Sequence, residues 1–91
     1  MTPKEQLDNY AARHGAKTEE EIENFIGQAA SLKGLTIFRT SSSRIVCQIK
    51  REGRTIIVTE TTITNRDEIR DGKIVAAEPI RETTEILRIE L

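Results

Sequence analysis

Two apolar runs, Ile45–Ile49 and Ile56–Val58, flank a charged turn at Arg51-Glu52-Gly53-Arg54. Side chains alternate across a strand, so Ile45, Cys47, Ile49, Ile56 and Val58 share one face of a hairpin. Val46, Gln48, Lys50, Thr55, Ile57 and Thr59 share the other. One face is nearly pure hydrocarbon and the other is mixed, the pattern of a sheet packed on one side and wet on the other. With Glu52-Gly53 as a two-residue loop, Ile49 opposes Ile56, Cys47 opposes Val58 and Ile45 opposes Glu60. A longer, bulged loop around Gly53 is the alternative, and it exchanges these partners.

Upstream the apolar period is helical. Thr2 and Pro3 suit an N-cap and a first helical position, and Leu7, Tyr10, Ala11 and His14 follow on one stripe. Gly15 is a natural stop. Thr18 with Glu21 forms a capping-box pattern, and Glu19, Glu20 and Glu21 complement the helix dipole. Ile22, Phe25, Ile26, Ala29 and Leu32 predict the buried stripe of this second helix, with Lys33 in its last turn and Gly34 beyond. Gly27 interrupts it, which suggests a close approach to the sheet.

After Gly34 the period becomes two. Leu35–Arg39 reads as a strand, Ser41–Ser43 as a turn, and the hairpin comes next. The threonine-rich third strand is interrupted at Asn65–Glu68. Asp71-Gly72 is a strong turn signal that sets Ile69 beside Ile74, with Lys73–Ala77 as a fourth strand. Pro79 breaks the chain's strand pattern or confines the next segment to a sheet edge. Thr84–Leu91 alternates again as a last strand, with a short helix over 81–88 as the competing reading. Helices that precede strands indicate an α+β fold. The expected architecture is two N-terminal helices and a four- to five-stranded antiparallel meander, with the second helix across its apolar face.

The 91 residues fit a single α+β domain spanning 1–91. Such a chain buries roughly 60–65% of its unfolded surface, enough for a modest core. The lone cysteine excludes an intramolecular disulfide and a cysteine-rich zinc site, which points to a reducing, cytoplasmic setting. No apolar run approaches a membrane span, and the first residues carry no signal-peptide pattern.

Net charge is −1, but residues 35–54 carry five basic side chains against one acid. That excess sits on the first strands and the hairpin turn, where it can meet an acidic partner or phosphate. The candidate partner-binding residues are therefore Arg39, Arg44, Val46, Gln48, Lys50, Arg51, Arg54 and Ile57.

Catalytic signatures are lacking. His14 is placed on a helix and Cys47 on a core-facing strand position, so Cys47 reads as a small buried hydrophobe and His14 as a helix end. The glycines are scattered singly, with no phosphate-cradling spacing. Asp67, Glu68 and Asp71 lack calcium-loop spacing. No catalytic residue, metal or cofactor is expected.

The leading expectation is a non-enzymatic protein-interaction module, a regulator, inhibitor or adaptor. Small inhibitors encoded by mobile elements such as phages share this motif-free character. An open C-terminal edge strand would also suit a homodimer. The alternatives are nucleic-acid binding by the basic hairpin 44–54, and small-ligand binding at a helix–sheet or dimer interface. Phe38 is the only strand aromatic, which weakens a base-stacking surface.

Overall fold

The computed structural model describes all 91 residues. Helix α1 spans Pro3–Arg13, and the Thr2 hydroxyl oxygen accepts the Glu5 N–H at 3.2 Å. His14 caps its C-terminus, and Gly15 turns the chain at φ +95°. Helix α2 spans Glu19–Ala29, with the Thr18 hydroxyl oxygen accepting the Glu21 N–H at 3.1 Å.

The α2 stripe ends earlier than its periodicity predicts. Ser31 N–H and its hydroxyl both bond the Gln28 carbonyl, and Gly34 N–H bonds Ser31. This tight turn takes Leu32 out of the helix and leaves it fully exposed, with Lys33 also beyond the last turn. Gly27 faces open space and approaches no strand. Gly34 is the tight position: at φ +69°, an added Cβ would lie 2.7 Å from the Cys47 carbonyl oxygen.

Four antiparallel strands complete the chain: β1 (Leu35–Arg39), β2 (Ser43–Glu52), β3 (Thr55–Arg70) and β4 (Lys73–Glu90), with sheet order β1-β2-β3-β4. Two helices before an antiparallel sheet make this an α+β fold. Glu52 pairs with Thr55, so the loop residues are Gly53-Arg54 rather than Glu52-Gly53. Gly53 occupies the first loop position with φ +60°, where a II′ hairpin needs a glycine. Ile49 therefore opposes Val58, Cys47 opposes Glu60 and Ile45 opposes Thr62. This slip moves each partner by two positions, so every side chain keeps its expected face.

The second hairpin obeys the sequence pattern. Asp71 and Gly72 both take positive φ, as an I′ turn requires, and Ile69 pairs with Ile74. Asn65–Glu68 does not interrupt β3, and the two expected C-terminal strands are one continuous β4. Residues 81–88 are thus strand and not helix. The register shifts near Ile86 and again around Glu78-Pro79. A proline without an N–H fits such an irregularity on an edge strand.

Both helices pack on one sheet face, where α2 alone was expected. Tyr10, Ala29, Cys47 and Val58 form the buried centre, against Leu7, Phe25, Leu35, Ile37, Ile49 and Leu87. Burying Val58 completely contributes about 1.5–3 kcal/mol. Strand β2 ends its pairing at Ser43–Thr64, so residues 65–78 form a two-stranded ribbon that extends beyond the body. The molecule is 56 Å long as a result. Ile69 and Ile74 at the ribbon tip are 79% and 76% exposed. No helix is long and apolar enough to cross a membrane.

Candidate functional site

The face of the sheet opposite the helices is open. Pairing aligns Arg39, Arg44, Ile63 and Arg81 in one row across all four strands. The next row is Thr36, Val46, Thr61 and Thr83. Gln48, Thr59 and Glu85 come after it, then Lys50, Ile57 and Arg88. Val46 and Ile63 are 7% and 6% exposed and floor a shallow depression of about 210 Å³. Lys33, Arg44, Gln48, Thr61 and Arg81 surround them. The Leu32–Gly34 turn reaches this face, since Gln48 Nε2 donates to the Leu32 carbonyl at 3.4 Å.

The electrostatics of this face are one-sided. Arg39 and Arg44 oppose each other directly across β1 and β2. Like charges in that position destabilise a sheet. None of Lys33, Arg39, Arg44, Lys50 and Arg81 has a carboxylate within salt-bridge distance, whereas Arg88 is held by Glu85 at 2.7 Å. Beside the arginine row, Thr40, Ser41, Ser43 and Asn65 line a small polar depression with Arg39 and Arg44. Uncompensated guanidinium groups over a hydroxyl-lined floor suit an anionic surface.

Six of the eight residues singled out in the sequence share this face: Arg39, Arg44, Val46, Gln48, Lys50 and Ile57. Two do not. Arg51 pairs with Ile56 on the helix side, and its Nε donates to the Gly53 carbonyl at 3.0 Å. Arg54 lies in the loop, with its carbonyl accepting Leu91 N–H. Arg81 and Lys33 complete the basic face and were missed. Arg81 becomes legible only once the β3–β4 register is known, because it lies 37 residues from Arg44 in sequence.

Phe38 pairs with Ile45 on the helix side of the sheet and is 56% exposed. It therefore gives the arginine face no stacking surface. On the helix side a groove of about 360 Å³ runs between the two helices and the turn end of the first hairpin, lined by Leu7, Ile22, Ile26, Ile56 and Leu91 together with charged side chains such as Glu19, Glu23 and Arg51.

The remaining chemistry-bearing side chains are used for packing. Tyr10 donates to Glu60 Oε2 at 2.9 Å, and its oxygen lies 3.4 Å from Cys47 Sγ. Burial first, then the Cys47 and Glu60 neighbours, pushes the Tyr10 hydroxyl far above its usual range. Burial also pushes the Cys47 thiol up, which opposes the thiolate form that a nucleophile needs. His14 stacks on Phe25 with ring centroids 5.9 Å apart and meets the Tyr10 ring edge at 4.8 Å. No three His, Cys, Asp or Glu side chains converge on a metal-binding position.

Compared with known proteins, the chain matches no family model, and neither a curated protein nor a solved structure matches it closely enough to transfer a function.

Proposed function

We propose that the protein is a small non-enzymatic binding domain that docks its open sheet face on an acidic protein surface. The carrying observation is the row Arg39, Arg44 and Arg81, three cations on one face without an internal counter-charge. Two arginines placed opposite each other cost the free protein stability. An acidic partner relieves that cost on binding, so the repulsion becomes part of the affinity. Val46 and Ile63 supply an apolar centre to the patch, with arginine, threonine and glutamine around it. This matches the common arrangement of an interface with an apolar core and a polar rim.

Acting by occupation rather than turnover suits a regulator, inhibitor or adaptor, including one of mobile-element origin. The single buried cysteine suits a reducing cytoplasm.

Nucleic acid is the second reading, favoured by the same arginines and opposed by the lack of an aromatic on that face. The two separate by affinity capture from the native host with the wild type and an R39E/R44E/R81E variant. The proposal expects a stoichiometric protein that survives nuclease, weakens with salt and is absent from the variant. Capture that disappears with nuclease supports the second reading. A protein partner retained by the triple variant places binding on another surface and refutes the assignment of this face.

A further inference from the structure

Strand β4 lies at one edge of the sheet and is 18 residues long. Its outer backbone groups have no strand partner, which makes it a template for a further strand. We infer that its occupant is the β4 strand of a second copy, paired antiparallel about a two-fold axis at Thr83.

The register is set by symmetry. A two-fold axis perpendicular to a sheet returns each residue to the same face, and opposed residues in a pleated pair must share a face. Within the regular stretch Ile80–Glu85 the axis must therefore pass through a residue, not between two. Centring on Arg81, Glu82 or Glu85 sets a charge against itself. Centring on Thr84 sets Glu82 against Ile86, and centring on Ile80 sets Glu82 against Glu78.

Centring on Thr83 resolves every conflict. Thr83 meets Thr83, Ile80 meets Ile86, and Arg81 meets Glu85 of the second copy, a carboxylate that also holds Arg88 of its own chain at 2.7 Å. Arg81 has no ionic partner in the single chain, while Ile80 and Ile86 are 46% and 41% exposed. Ile80 pairs with Thr64, and Ile86 lies beside Gln6, Asn9 and Tyr10 of α1, so both face the helix side. The product is a continuous eight-stranded sheet with both helix pairs on one side and both arginine faces on the other.

Arg81 also belongs to the arginine face, so the readout is self-association of the isolated chain, which does not depend on which partner that face takes. Sedimentation equilibrium of the isolated full chain should show a dimer. R81E and E85R, both at exposed positions, should each weaken it about tenfold or more, by placing like charges opposite each other. The double variant R81E/E85R should recover most of the loss. Thr83→Cys should give a disulfide-linked dimer on mild oxidation, because directly opposed Cβ atoms approach to about 4.5–5.5 Å. Glu82→Cys and Thr84→Cys should link poorly. Circular dichroism of each variant checks that the fold is retained. A monomer at high concentration overturns the inference, as does a dimer indifferent to both charge reversals or one that links best at position 82 or 84.

Discussion

Tyr10 is the only tyrosine, and there is no tryptophan, so tyrosinate absorbance reports this one side chain. It is 4% exposed and donates to Glu60 at 2.9 Å. Its folded-state pKa lies above the ordinary value of 10.0. A raised value means that the stability contribution is complete below pH 10 and falls as pH climbs from there toward the folded value. In that window the unfolded chain has released the phenolic proton and the folded chain has not. The resulting loss is about 0.8 kcal/mol at about pH 10.5 and about 1.4 kcal/mol at about pH 11. Cys47, also raised, loses stability in the same direction from a lower pH. Urea unfolding across this range should show wild-type stability falling, while Tyr10→Phe loses about 1–2 kcal/mol at neutral pH and has a shallower alkaline slope. The folded protein should resist tyrosinate formation through pH 10, and the urea-unfolded protein should titrate near 10. A folded protein that ionises Tyr10 near pH 10 with its circular dichroism intact would refute the buried donor.

Three further comparisons test the register and the open face. Ile49→Asp places a carboxylate against the helices and should cost about 3 kcal/mol in denaturant unfolding, whereas the neighbouring Lys50→Asp should stay within about 0.5 kcal/mol. Reversed effects would put the strand faces the other way round. Gly34→Ala should cost at least about 2 kcal/mol, from its positive φ and the Cys47 carbonyl 2.7 Å from the new Cβ, while Gly27→Ala should stabilise by about 0.5–1 kcal/mol. Arg39→Ala should raise stability by about 0.2–1 kcal/mol by removing an opposed like charge, and should weaken capture of an acidic partner. Destabilisation by that change would mean that Arg39 is structurally compensated.

Faces were legible in the sequence because the strand period is two, and shifting a hairpin loop by one residue leaves that parity intact. Cys47 and Val58 are buried and Lys50 is exposed as the alternation requires, whereas Val46, on the face expected to be wet, is buried near the Leu32–Gly34 turn. Partners were not legible, because choosing between Glu52-Gly53 and Gly53-Arg54 depends on which loop position carries positive φ. The end of α2 was misplaced for a related reason. Leu32 has the right helical spacing, but the Ser31–Gln28 turn closes the helix before it arrives. The long β4 was divided at Pro79, since an edge strand tolerates a missing N–H that a central strand would not. That division also concealed Arg81, whose neighbours depend on pairing between distant parts of the chain.

The strand order β1-β2-β3-β4 repeats the order of the chain. Each strand therefore pairs with one it has just left, and hairpin 43–64 can close before the rest has collapsed. Short loops of this kind favour rapid folding. Helix α1 is the exception: it packs near β4, and its Tyr10 bond to Glu60 spans 50 residues and joins it to a central strand. A contact of that sequence separation is expected to form after the folding barrier. Its removal should speed unfolding while leaving the refolding rate nearly unchanged, which makes the N-terminal helix a latch on a sheet that has already formed.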